Sequence, residues 1–274
     1  MTNARDRTPL RHHRRMETDR WPLLHGAGGG GWEWVIWDRV LRARGATVAA
    51  PDLMPVAQGL AATTLADYRE QAEAAVRALG IPQAQVDATV RATGRQAERG
   101  GAAGFAAGMP VVVGASLGGL LAMQVATVVP LRALVLLNPL PPAPWHTMLP
   151  PREASPPVIP WGRTASLAST RRALPDASDA TCEWAWRRWR DESGAVVDAA
   201  RAGVALARPP CPVLVIASEA DDDVPADASA ALAQAWGASL WRLPGASHVG
   251  PLLGRGAAAC AEQVVAWVES LPPT

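Results

Sequence analysis

A serine, a cluster of aspartates and a histidine are spaced along this chain as nucleophilic acyl chemistry requires. Ser116 stands in Gly114-Ala115-Ser116-Leu117-Gly118, between the apolar run PVVVGAS and a stretch with helical spacing. A strand that turns directly into a helix strains the backbone of the corner residue, and the glycines two positions either side leave room for the close approach. The serine hydroxyl is then exposed at the carboxyl end of a sheet, with the Leu117 N–H at the helix start aimed at a developing oxyanion. Such a hydroxyl needs a base, and His248 in LPGASHVGPLL offers a neutral imidazole behind small neighbours. The imidazole needs a carboxylate on its other ring nitrogen. The spacing to Val224-Pro225 favours Asp221 for that task, with Asp222 and Asp223 as rivals separated only by loop register.

Upstream, LLHGAGGGGWEW follows an apolar run, and its glycines let a loop pass close beneath a bound carbonyl. The backbone N–H of Ala27, just after His25-Gly26, is the expected second oxyanion donor. A phosphate-cradling role for this loop is disfavoured, because no GK[ST] follows, no GxGxxG register opens a helix, and the chain contains no lysine. His25 is read as a structural residue of the corner.

These groups require elements to hold them. From Trp21 onward short apolar runs alternate with longer amphipathic stretches, the pattern of an α/β fold with a mostly parallel, doubly wound sheet and helices on both faces. The runs WPLLH, TVAAPDL, PVVVGAS, RALVLLN, PVLVIAS and SLWRLPG predict buried strands. Helices are predicted over about 33–44, 64–79, 117–129, 226–236 and 256–271. Two segments interrupt the alternation. Residues 81–108, rich in Ala, Gly, Arg and Gln, predict an irregular helical excursion. Residues 139–208 open with PLPPAPWHTMLPP, where proline forbids a central strand, and turn helical at ATCEWAWRRWRDES and GAVVDAARAGVAL. The predicted organisation is a disordered basic tail over 1–20, a core over 21–138 and 209–274, and an inserted helical lid over 139–208.

Composition narrows the partners. Charged residues make up 19% and the net charge is +1, so no global field recruits nucleic acid or an anionic membrane, and a small molecule is expected. No segment approaches the roughly 20 apolar residues of a membrane span. Arg14 and Arg15 resemble a twin-arginine signal, but no apolar stretch follows them. Cys182, Cys211 and Cys260 are isolated and odd in number, which suggests neither a disulfide framework nor a zinc site and fits a reducing cytoplasm.

Taken together, the strand followed by HGAG, the GASLG corner, the acid after the penultimate strand and the late histidine resemble the α/β-hydrolase superfamily, from about residue 21 to the C-terminus. Within it, HGAGGGGWEW and GASLGG are similar to the small-ester branch containing plant methyl esterases, hydroxynitrile lyases and bacterial carboxylesterases. The resemblance implies a serine hydrolase cleaving a small or medium carboxylic ester through an acyl-enzyme on Ser116. His248 would be the base and Asp221 the orienting acid, with no metal or organic cofactor. Two departures matter. The family usually carries two strands before the HGxG strand, and the polar residues there predict a sheet shorter at that edge; Met16 is an alternative start. The plant lyases use a lysine beside the histidine, which this chain lacks. Members that cleave epoxides or carbon–halogen bonds carry aspartate at the elbow, so Ser116 argues against those reactions. A thioesterase, a carbon–carbon hydrolase and an acyltransferase share the triad, and a non-catalytic ligand receptor shares the fold. Of the twelve tryptophans, Trp32, Trp145, Trp186 and Trp189 are the candidates for an apolar substrate pocket; packing of lid on core is the competing role.

Overall fold

The structure, a computed structural model, describes residues 19–79 and 108–272. The expected tail, apart from Asp19 and Arg20, and the expected excursion, apart from Gly108, lie outside the described residues. Among the described residues eight strands form: β1 (Arg20–Leu24), β2 (Thr47–Ala49), β3 (Val111–Ala115), β4 (Ala133–Leu137), β5 (Val158–Ile159), β6 (Glu192–Ser193), β7 (Val213–Ser218) and β8 (Ser239–Leu243). Six of them make one parallel sheet in the order β2-β1-β3-β4-β7-β8. All six predicted runs therefore contribute a strand. Among the described residues nothing pairs with the outer edge of β2.

The inner strands β1, β3, β4 and β7 are continuous apolar runs because both faces are covered, whereas β8, expected to be buried, lies at the sheet edge and is largely exposed, and β2 at the other edge is only partly buried. Val111, Val113, Val135 and Leu137 point into one layer, against Trp37 and Leu41 of the helix Val35–Ala43 and Val264 of Ala257–Ser270. Val112, Leu134 and Leu136 point into the other, against Tyr68 and Val76 of Leu65–Ala78, Leu121 of Leu117–Val125 and Leu232 of Ala226–Trp236. Each of these side chains is almost fully buried. Burial of a Val or Leu stabilises by about 1.5–3 kcal/mol, so the sheet interior holds the scaffold rigid beneath the loops.

Local chemistry sets the helix ends. Thr64 and Asp67 form a reciprocal capping box at the start of Leu65–Ala78, and Gly237 in the left-handed region (φ 58°) ends Ala226–Trp236. Two boundaries differ from expectation. The helix after Ser116 stops at Val125 rather than about 129, because Thr127-Val128-Val129 is β-branched and Pro130 disfavours helical backbone at the residue before it. The stretch expected as a helix from 33 begins as a 3-10 turn, Gly31–Trp34.

Between β4 and β7 the chain leaves the sheet. It forms the short helices Trp161–Thr164, Leu167–Ala173, Asp179–Trp186 and Gly194–Arg201, and the antiparallel pair β5–β6. Among the described residues no helix is long and apolar enough to cross a membrane.

Candidate active site

The carboxyl ends of β3, β7 and β8 carry the three residues singled out by their chemistry. Ser116 links β3 to the helix Leu117–Val125 with φ 52° and ψ −119°, a conformation that L-residues rarely adopt. Its strain is held by packing. The Ser116 N–H donates to the Leu137 carbonyl at 3.0 Å, and the glycines on either side have no room for a side chain. A Cβ on Gly114 would lie 2.3 Å from the Gly118 carbonyl oxygen, and one on Gly118 would lie 2.1 Å from that of Leu24.

His248 follows β8, and its Nδ1 lies 2.7 Å from Asp221 Oδ2 in the loop after β7. The Asp221 side chain is fully buried, whereas Asp222 and Asp223 are exposed. Its other oxygen, Oδ1, accepts the N–H groups of Asp223 and Val224 at 2.8 and 2.9 Å, which locks the carboxylate facing the imidazole. Burial lowers the pKa of His248, but the hydrogen bond and charge of Asp221, aided by Asp223, outweigh it, and the net shift is upward. Asn138, at positive φ (43°) where β4 ends, ties these loops together. Its amide nitrogen donates to the His248 carbonyl at 2.7 Å and to Ser218 Oγ at 2.9 Å, and its oxygen accepts the Ser218 N–H.

The glycine loop after β1 is fastened from several sides. His25 is buried; Nδ1 donates to the Gly26 carbonyl at 2.8 Å and Nε2 accepts the Leu53 N–H at 2.9 Å. Burial pushes its pKa down to about 4, so it is a neutral strut and not a titrating base. Glu192, also buried, accepts the Gly28 N–H at 3.0 Å and the Tyr68 hydroxyl at 2.9 Å, while the Arg190 N–H donates to the Gly28 carbonyl. Residues 190–192 belong to the excursion between β4 and β7, so that segment and the glycine loop hold one another.

A cavity of about 420 Å³ opens where these pieces meet. Ser116, His248, Ala27 and Leu117 all line it. So do Glu33, Trp161, Trp189 and Arg201, and its walls come from both the sheet end and residues 140–201. Of the four tryptophans proposed for a pocket, Trp189 lies in the lining. Trp32 stacks edge-on against Trp184 and Trp189, and Trp145 packs against Trp236. Trp186 donates its indole N–H to the Ala165 carbonyl at 3.1 Å. Sequence reasoning passed over Asn138, Glu192 and Glu33. Only the asparagine closing RALVLLN and the glutamate inside HGAGGGGWEW carried a signal, since each is a polar residue beside a motif.

Among the described residues, Asp221, Asp223 and His248 place ligand atoms within 4.8 Å of one another, as a metal site would. The atoms of Asp221 and His248 already satisfy each other through a short hydrogen bond, and Asp223 is exposed, an arrangement suited to orienting an imidazole.

A parallel sheet with serine at a strand-to-helix corner, and a histidine–aspartate pair at the neighbouring strand ends, is the layout of an α/β-hydrolase. The chain belongs to the α/β hydrolase family, whose model it matches over residues 23–263. No curated protein sequence matches it. Its fold is similar to that of a methylesterase from Arabidopsis, at 12% identity and a TM-score of 0.62, covering 90% of this chain and 98% of that one. It is also similar to tomato methylketone synthase I in complex with 2-tridecanone, at 14% identity and 0.65, covering 92% and 99%. A pyrethroid hydrolase from Sphingobium faniae aligns at 19% identity and 0.59, covering 92% and 98%.

Proposed function

We propose that this protein is a serine hydrolase of small or medium carboxylic esters, with Ser116 as nucleophile, His248 as general base and Asp221 as the acid that orients the histidine. The observation that carries the reading is the opening of one cavity onto both a serine at a strained corner and a histidine bonded to a buried carboxylate. His248 removes the Ser116 proton as Oγ attacks the ester carbonyl, and Asp221 stabilises the imidazolium that forms. The N–H groups of Ala27 and Leu117 receive the developing oxyanion. The imidazolium then protonates the departing alcohol, and the acyl group remains on Ser116 until water, activated by His248, releases the acid. Residues 139–208 act as a lid that shapes the acyl and alcohol sites through Trp161 and Trp189. The names of the methylesterase and the pyrethroid hydrolase are in keeping with ester chemistry on this fold.

The test is a fluorophosphonate probe together with p-nitrophenyl esters and acyl thioesters of graded chain length. Wild-type protein should be labelled and should turn over short esters, and Ser116→Ala should lose both. Labelling that persists in Ser116→Ala would end the assignment, and turnover confined to thioesters would move it to a thioesterase.

A further inference from the structure

Glu33 lines the cavity beside the proposed triad and has no part in the chemistry described so far. It lies in the turn that closes the glycine loop and is 4% exposed. Its Oε2 accepts the Gly26 N–H at 3.3 Å, and among the described residues no cation forms an ion pair with it. The glycine run makes space for it, because a Cβ on Gly29 would lie 2.0 Å from Glu33 Oε2. Gly26 in turn reaches the nucleophile: a Cβ there would lie 3.3 Å from Ser116 Cβ and 3.8 Å from Oγ. A carboxyl group thus fills the space under the loop that carries the Ala27 donor.

We propose that Glu33 is a positioning residue of the esterase reaction, a neutral carboxylic acid that holds the oxyanion loop through Gly26 and whose ionisation turns the site off. This inference rests on the ester-hydrolase reading above. Burial pushes the Glu33 pKa up to about 8, against the opposing N–H groups of Gly26 and Gly30 and the charge of His248. In the neutral form the donors Ala27 and Leu117 act on the substrate oxygen unopposed. Loss of the proton to solvent leaves a fixed negative charge beside the oxygen that must itself become negative, and the two repel.

The surrounding charges do not supply the same behaviour. Around the glycine loop His25 is held neutral by burial, Glu192 of β6 is engaged by Gly28 and Tyr68, and Asp52, after β2, accepts the Gly31 N–H beside Arg190. From the histidine loop come His248, with Asp221 and Asp223 near it, and Asp176, which accepts the Ser247 hydroxyl. Arg152 and Arg201 line the cavity from the excursion between β4 and β7, and arginine does not give up its proton in this pH range. Deprotonation of His248 creates the active base and raises the rate, so a fall of rate near pH 8 has the opposite sign from its titration.

The experiment follows the rate of Ser116 phosphonylation by a fluorophosphonate, and kcat/KM on p-nitrophenyl acetate, from pH 6 to 10 in wild type and Glu33→Gln. The quantity read is the ratio of rates at pH 9 and pH 7 within each protein. A group titrating at about 8 falls from about nine-tenths neutral to about one-tenth over that interval, so its ionisation should lower the wild-type ratio about tenfold relative to a variant that cannot ionise. In Glu33→Gln, which keeps an acceptor for Gly26 and cannot ionise, the ratio should be about tenfold higher than in wild type, since the rise from His248 deprotonation is common to both proteins. The same ratio in wild type and Glu33→Gln overturns the inference and leaves the esterase assignment standing. Infrared spectroscopy reads the acid itself: a protonated-carboxyl stretch present in wild type at pH 7 and lost by pH 10. If Ser116 resists labelling at every pH, the esterase reading fails instead, and the infrared band still decides whether Glu33 is neutral. Should Glu33→Gln not fold, the wild-type rate profile and band must titrate together, and divergence between them overturns the inference.

Discussion

Replacing Asp221 by asparagine tests the arrangement of the site most directly, because the structure dictates how the new amide must sit. Oδ1 of Asp221 accepts two backbone N–H groups, from Asp223 and Val224, and those donors remain in the variant. In Asp221→Asn the amide oxygen must stay on that side to accept them, which turns the NH2 group toward His248 Nδ1, 2.7 Å away in the wild type. Nδ1 must then accept, the proton moves to Nε2, and the imidazole can no longer take the serine proton. The lost charge adds to this. Two unit charges about 4 Å apart in a medium of effective dielectric about 20 attract by about 4 kcal/mol, which is close to a thousandfold in rate when the imidazolium forms in the transition state. With the tautomer effect the expected loss in kcat/KM is about 10³ to 10⁴, with KM little changed. Asp222→Asn and Asp223→Asn, which alter exposed carboxylates, should each stay within about tenfold. The assay is p-nitrophenyl ester turnover with circular dichroism to establish folding. A folded Asp221→Asn within tenfold of wild type, or a thousandfold loss in Asp223→Asn, would refute the reasoning.

Because the folded environment raises the His248 pKa above 6.5, the base becomes protonated, and activity falls, as pH drops through a value above that figure. A wild-type profile of kcat/KM that stays flat down to about pH 4 would exclude His248 as the base. Gly118→Ala forces a Cβ to 2.1 Å from a backbone oxygen that cannot step aside, and should cost about 3 kcal/mol in urea unfolding; a loss under about 1 kcal/mol would show that the elbow yields. The three cysteines are buried and burial raises each thiol pKa, that of Cys211 and Cys260 to about 12. Ellman's reagent should therefore leave the native protein unmodified and titrate all three thiols in guanidinium; rapid native reaction would contradict the packing.

Much of the scaffold is legible along the chain. Strands buried on both faces write themselves as runs such as ALVLL, in which alternate side chains serve opposite layers and all must be apolar. Thr64 and Asp67 announce a helix start within four residues, and Pro130 marks an early helix end that hydrophobic periodicity alone overruns. The elbow is equally local, since Gly114, Ser116 and Gly118 constrain each other across a single turn. Between β4 and β7 the interruption and the helices within ATCEWAWRRWRDES and GAVVDAARAGVAL were legible, but not Trp161–Thr164, Leu167–Ala173 or the two-residue strands, which are defined by what they pack against.

The amino-acid sequence by itself determined the strands, the serine at its corner, the order of acid and histidine behind it, and the exclusion of lysine chemistry. These are properties of neighbours in the chain, governed by burial pattern and backbone sterics. Only the tertiary structure decided which of three adjacent aspartates faces His248, that Trp189 lines the cavity while Trp32, Trp145 and Trp186 pack elsewhere, and that Glu33 is buried beside them. Those choices depend on contacts such as Asn138 with His248 across 110 residues and Gly28 with Glu192 across 164. A side chain's burial, charge state and partner are set by the far segment that closes over it, and local sequence carries no record of that segment.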